Sequence, residues 1–133
     1  MLFRSNFINE HIKSEDSFAL KSYLHRCQPL RCWINLQTGY DVSRYHGDHE
    51  DSNYVSLLYY ANTKWDIEWD GGTIFRSDDL SEIEFISDYK PGRLVLFDSS
   101  IPHKPMSTSM SANHYRYTIN STYLNGNLDR AKV

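Results

Sequence analysis

The sequence predicts a mainly β fold, an antiparallel jelly roll with a short N-terminal helix packed on one face. Three observations predict it. Aromatic residues reach 14%, with ten Tyr, six Phe and three Trp, and such side chains suit pleated, half-buried surfaces. From Leu30 onward the chain breaks into short apolar-alternating runs separated by turn residues, the texture of a sandwich or a roll. Ahead of them, one stretch carries a helical stripe instead.

That stripe opens at Ser14, an N-cap followed by Glu15 and Asp16 in the first turn, where acids complement the helix dipole. Leu20, Tyr23, Leu24 and Cys27 then recur at i, i+3, i+4 and i+7, and Pro29 is expected to stop the helix. Predicted strands follow over Cys32 to Gln37, Tyr40 to Tyr45, Val55 to Ala61, Thr73 to Phe75, Glu84 to Ser87, Arg93 to Phe97 and Arg116 to Tyr123. Thr38-Gly39, Asp70-Gly71-Gly72 and Lys90-Pro91-Gly92 supply the turns between them. With 133 residues, one domain is expected over 1–133, a helical lead-in at about 1–29 and a β core at about 30–124.

Charge and composition exclude several function classes. A formal charge of −3 and a pI near 6.0 offer no basic field for phosphate backbones, so nucleic-acid binding is disfavoured. No apolar run approaches the roughly 20 residues of a membrane span, and the first residues lack a signal-peptide pattern, so a cytoplasmic protein without a membrane partner is expected. The two cysteines, Cys27 and Cys32, are too few for a disulfide framework and read as reduced packing thiols. Oligomeric state is left open.

Chemistry concentrates in the histidines. His46-Gly47-Asp48 and His49-Glu50-Asp51 both begin an H-x-D pattern, although six His and eleven Asp in this chain produce about half of one such match by chance. On an extended segment, residues i and i+2 share a face, so an imidazole and a carboxylate can grip one ion. His103, after the predicted strand ending at Phe97 and a turn, is the best third ligand. Two His and one carboxylate form the facial triad of non-haem iron(II), with positions left open. Further on, alternation places Arg116, Thr118, Asn120 and Thr122 on one face. A guanidinium inside a roll needs an anionic partner. That partner is either a bound dicarboxylate, with Tyr60 adding a hydroxyl, or a structural acid such as Asp98. Only one of Tyr59 and Tyr60 can face inward. Trp65, Trp69 and Tyr89 fit a substrate groove or plain packing, while His11, His25 and His114 stay outside the candidate site.

Tyr45-His46-Gly47-Asp48, Leu57-Leu58-Tyr59-Tyr60-Ala61-Asn62, Trp65, Gly71-Gly72-Thr73, Pro91-Gly92-Arg93-Leu94-Val95-Leu96-Phe97, His103 and Tyr115-Arg116-Tyr117 occur in an order and spacing that resembles the prolyl 4-hydroxylase-like 2-oxoglutarate and iron(II)-dependent oxygenases. The resemblance covers roughly residues 34 to 123. It implies a double-stranded β-helix in which His46, Asp48 and His103 hold iron(II). Arg116 would hold the far carboxylate of 2-oxoglutarate, with Tyr60 and Thr118 beside it. It further implies dioxygen as second cosubstrate, room for ascorbate, and decarboxylation of 2-oxoglutarate to succinate coupled to hydroxylation of an unactivated C–H bond. Prolyl or other peptide side chains lead as substrate by analogy, ahead of free amino acids and small molecules. Halogenation is disfavoured by Asp48. Nucleic-acid repair is disfavoured by the lack of a second arginine between Arg116 and Arg130.

Three departures accompany the resemblance. The region before the roll is short, His49 and Asp51 compete with His46 and Asp48 as the metal pair, and a polar stretch from Ser107 to Asn113 separates His103 from Arg116, where it is expected to be mobile and to hold the second histidine loosely. A non-catalytic β-roll binding module that keeps the fold is the alternative function.

Overall fold

The structure, a computed structural model, describes residues 21–125. Residues 21–24 are helical and end in a turn, His25 N–H donating to Lys21 O at 3.0 Å. The start of the predicted helix, Ser14 to Leu20, lies outside the described residues. Its end differs from expectation. Pro29 does not stop the helix, which has closed by Leu24; it sits inside the first strand, β1 (Gln28–Gln37). β1 is an edge strand, where a residue without an N–H is tolerated, and its ladder shifts register between Pro29 and Arg31.

The remaining strands are β2 (Tyr54–Tyr60), β3 (Thr73–Arg76), β4 (Ile83–Ser87), β5 (Leu94–Asp98), β6 (His103–Pro105) and β7 (Arg116–Leu124), with a 3₁₀ turn at Ile67–Trp69. Strands β1-β7-β2-β5 form one antiparallel sheet and β4-β3-β6 another. The chain changes sheets from β2 to β3, from β4 to β5, from β5 to β6 and from β6 to β7, which is the winding of a jelly roll. β6, too short for its alternation to show in the sequence, was not expected. Tyr40 to Tyr45, expected as a strand, is irregular. Its Asp41 accepts from the Thr38 hydroxyl at 2.9 Å, and turn bonds of this kind compete with a sheet ladder.

Period-2 alternation decides what each strand buries. Leu58 and Tyr60 of β2, Phe75 of β3, and Val95 and Phe97 of β5 point between the sheets and, with Tyr89, form the apolar core. Phe75 and Phe97 meet edge to face, ring centroids 5.0 Å apart. On β7 the buried row is Arg116, Thr118, Asn120 and Thr122, while Tyr117, Ile119, Ser121 and Tyr123 face outward and are less buried. The interior therefore has an apolar half and a polar half, and the polar half holds a cavity of 320 Å³. Cys27 and Cys32 are free thiols, one buried and one exposed. No helix among the described residues is long and apolar enough to cross a membrane.

Candidate metal centre and ligand cavity

The H-x-D segment is fastened along the chain that carries the second histidine. His46 and His103 form an antiparallel bridge, with N–H to O=C bonds of 3.0 and 2.9 Å in the two directions, and His49 N–H donates to Ser99 O at 3.1 Å. Gly47 lies between these points, where a Cβ would stand 3.1 Å from the carbonyl oxygens of both Ser99 and Ser100. A side chain there would press on both carbonyls and push the segments apart by a few tenths of an ångström. His103 itself belongs to β6 and is paired with Phe75 of β3. It is therefore held before the polar stretch 107–113 begins. That stretch is itself tied down, through the Asp70–Thr108 bridge and a bond from Ser109 N–H to Trp69 O at 3.0 Å. His103 is thus held by strand pairing and not through that stretch.

The donor atoms converge. Nε2 of His46 and of His103 lie 3.8 and 3.7 Å from Asp48 Oδ1, and one ligand atom from each of the three residues falls within 4.8 Å of the others. In both rings Nδ1 faces a carbonyl, Arg44 O at 3.0 Å for His46 and Ile101 O at 2.9 Å for His103. A carbonyl only accepts, so Nδ1 carries the proton and Nε2 presents a lone pair. Burial, first, and the neighbouring His46 hold the His103 imidazole below its ordinary pKa, against the opposing pull of Asp48, which favours the neutral, ligating form. Among the described residues, no Lys or Arg pairs with the buried Asp48 carboxylate. Arg31 instead bonds the Asp48 main-chain carbonyl. Two lone pairs and a carboxylate oxygen facing one point, with no donor between them, suit a cation.

The competing pair is not assembled. His49 accepts from Asp51 N–H through Nδ1 at 3.1 Å and stacks on Tyr54, and Asp51 Oδ1 caps Asn53 N–H at 2.8 Å. Those bonds make a local turn with no shared focus.

Arg116 occupies the other end of the inward row of β7. It is buried, its Nε bonds to Gly71 O, and its Nη2 bonds to Thr73 Oγ1 at 3.2 Å, with Gly72 O at 3.4 Å. Burial lowers its pKa while Tyr60 and Tyr89 oppose the shift, and the guanidinium stays charged. Among the described residues no carboxylate pairs with it. Asp98, the structural alternative, accepts from Ser100 N–H at 2.8 Å and the Ser100 hydroxyl at 2.7 Å. The turn 70–72 does more than set strand direction, since two of its carbonyls orient the guanidinium. Gly71 sits at φ +80°, and a Cβ on Gly72 would stand 2.6 Å from Ser87 O.

Tyr60 faces inward, and Tyr59 does not. Yet Tyr60 lies in the apolar core beside the cavity, with its hydroxyl 3.0 Å from Thr73 Oγ1 and 3.1 Å from Ser87 O. The phenol has one proton and the carbonyl can only accept, so Tyr60 donates to Ser87 and accepts from Thr73, whose oxygen accepts from Arg116. Burial raises the Tyr60 pKa, keeping it a neutral phenol. Tyr60 thus braces Arg116 through Thr73. Thr118 lines the cavity, as do Leu58, Asn120, Gln37, Thr73 and both histidines. The Gln37 amide and Asn120 Oδ1 are buried without a partner among the described residues. Trp65, Trp69 and Tyr89 pack on one another, Trp65 lying 4.3 Å from the Tyr89 ring and 5.3 Å from that of Trp69.

Several contributors were not anticipated: Arg31, Thr73, Ser99, the carbonyls of Gly71 and Gly72, and Ser56, whose hydroxyl bonds to Asp48. Ser56 and Thr73 were open to recognition, because alternation sets Ser56 beside Leu58 and Tyr60 and sets Thr73 beside Phe75. Ser99 and Arg31 carry no local signal.

No family model and no curated protein matches the sequence. Solved structures do match. A prolyl hydroxylase from Trichoplax adhaerens, in complex with a hypoxia inducible factor oxygen degradation domain peptide fragment, superposes with a TM-score of 0.61 at 19% identity over 98% of this chain and 67% of that one. Prolyl 4-hydroxylases from Phytophthora capsici and Pseudomonas putida give 0.59 and 0.56, at 18% and 20% identity, over 88% and 90% of this chain and 41% and 67% of theirs. The chain has the jelly-roll fold of these prolyl hydroxylases and resembles the group its motifs pointed to.

Proposed function

We propose that the protein is an iron(II)- and 2-oxoglutarate-dependent dioxygenase that hydroxylates an unactivated C–H bond, with a prolyl or other peptide or amino-acid side chain as substrate. One observation carries the reading: His46 and His103, whose ring nitrogens converge with the buried Asp48 carboxylate, line the same cavity as a buried guanidinium that no carboxylate among the described residues pairs with. The two unmet charges call for a metal ion at one end and a carboxylate at the other.

In this reading His46, Asp48 and His103 hold the iron, and Arg116 holds the distal carboxylate of 2-oxoglutarate through the donors not committed to Gly71, Gly72 and Thr73. Bound iron supplies the activation of dioxygen that couples decarboxylation of the keto acid, to succinate and carbon dioxide, to substrate oxidation. The chain's own part is to place and protect. Thr118 and Asn120 lie along β7 between Arg116 and the level of the metal ligands, and Leu58, opposite Asn120, closes the apolar side. Tyr60 acts as a positioning residue through Thr73. The peptide carried by the Trichoplax structure supports a peptide substrate, and ascorbate fits as an auxiliary reductant.

The test is anaerobic loading with iron(II) and 2-oxoglutarate, followed by oxygen and a panel of prolyl peptides. Succinate formation that rises with one of the peptides is the expected result. Metal-dependent binding of 2-oxoglutarate with no turnover would make the protein a binding module, and no metal binding at all would end the proposal.

A further inference from the structure

Behind Asp48 stands a pair of buried hydroxyls, Ser56 and Ser99, bonded to each other. Ser56 of β2 and Ser99, just beyond β5, are 1% and 0% exposed, although they are 43 residues apart in sequence. Ser56 Oγ lies 2.6 Å from Asp48 Oδ2 and 2.8 Å from Ser99 Oγ. An ionised carboxylate only accepts, so the single Ser56 proton goes to Asp48, and Ser99 must donate to Ser56. The donation runs Ser99 to Ser56 to Asp48 Oδ2, a short charge-assisted bond at its end.

This chain makes the two carboxylate oxygens unlike. Oδ2 is committed to Ser56, while Oδ1 alone faces Nε2 of both His46 and His103. Arg31 on the Asp48 carbonyl and Ser99 O on His49 N–H fix the backbone on either side, so the carboxylate is restrained from turning its second oxygen inward. Carboxylates bind metal ions through one oxygen or through both. Through one, a six-coordinate ion held by His46, Asp48 and His103 keeps three positions open; through both, it keeps two, which a chelating keto acid would fill.

We propose that Ser56 and Ser99 are positioning residues that confine Asp48 to ligation through Oδ1 and thereby preserve the third open position. The inference rests on the metal reading above.

The test uses the full chain, S56A, S99A and S56T, each checked for folding by circular dichroism. Zinc(II) alone is titrated by calorimetry, and the carboxylate stretches are read by infrared difference spectroscopy with ¹³C-labelled aspartate. Nitric oxide, standing in for dioxygen, is then titrated into protein loaded with iron(II) and 2-oxoglutarate. We expect the parent and S56T to show the wide stretch splitting of one-oxygen ligation. S56A should show a narrowed splitting and bind nitric oxide at least tenfold more weakly, within the 10–100-fold usual for residues behind a metal ligand. S99A, which leaves Ser56 in place, should lie between the parent and S56A in both readouts. A merely structural pair would change stability and leave splitting and nitric oxide affinity at parent values; that result in S56A, or in S99A if S56A does not fold, overturns the proposal. Failure of S56T to match the parent overturns it as well. A parent that binds no zinc removes the metal reading and this inference together, whereas a parent that binds zinc with unaffected variants removes this inference alone.

Discussion

Arg116 combines full burial with an incomplete set of partners, and its substitution separates the ligand-binding role from a structural one. Charged hydrogen bonds contribute about 1.5–3 kcal/mol, so Arg116→Ala should weaken 2-oxoglutarate binding by roughly ten- to a hundredfold, as calorimetry on metal-loaded protein would show. Unchanged affinity would remove Arg116 from the site. Tyr60→Phe behaves differently if the phenol only braces Thr73 and Ser87. It should cost about 0.5–1.5 kcal/mol in denaturant unfolding, the worth of a buried hydrogen bond lost, yet weaken 2-oxoglutarate far less than Arg116→Ala. An equal loss of affinity in the two variants would put the phenol on the cosubstrate. The identity of these residues was legible beforehand, but the direction of donation was not, because it follows from Ser87 O being a carbonyl, 27 positions away in sequence.

At the scale of elements, the β3–β4 connection is stabilised by one exposed carboxylate. Asp79 accepts from the Ser77 and Ser81 hydroxyls, each at 2.7 Å, and from Ser81 N–H at 3.0 Å. These bonds, the Ser77 hydroxyl foremost, pull its pKa from 3.8 to about 2. Because the folded value lies below the unfolded one, the contribution is complete above the unfolded pKa and is lost as pH falls through about 2. The Asp79 side-chain carboxyl should therefore titrate near 2 by NMR, with the Ser81 amide losing its hydrogen-bonded shift in the same window. A midpoint near 3.8 would show that the turn does not hold in solution. Most strands were legible because alternation is a local property: β2, β3, β4, β5 and β7 begin or end within a residue or two of expectation. The misassigned segment, Tyr40 to Tyr45, has strand-like composition but spends its polar groups on a turn. The missed strand, β6, has only three residues and owes its pairing to Phe75 and His46.

For the whole molecule, an ion bound only by the folded state must raise stability by mass action. At a hundredfold excess over its dissociation constant the gain is about 2.7 kcal/mol, or roughly 10 °C in Tm for a domain of this size. Manganese(II) or zinc(II) should produce that shift, and a chelator should reverse it. Asp48→Ala should abolish the response and Asp51→Ala should retain it, since Asp51 serves only the turn at Asn53. The reverse pattern would move the centre to the second H-x-D pair. The same logic extends to 2-oxoglutarate, whose additional stabilisation should require the metal and Arg116 together.

By itself the sequence determined which side chains share a face and which chemistries were on offer. Period-2 alternation put Arg116, Thr118 and Asn120 in one inward row, and residue types alone supplied two imidazoles, a carboxylate and a guanidinium in the order of a known oxygenase group. Tertiary structure gathered His46 and Asp48, and not His49 and Asp51, beside His103, sent Tyr60 into the core and brought Ser99 behind Asp48. Those outcomes depend on sheet register and on how segments far apart in the chain close against each other, as Gly47 closes on Ser99 and Ser100. No local pattern records such contacts, because their free energy exists only once both partners are in place.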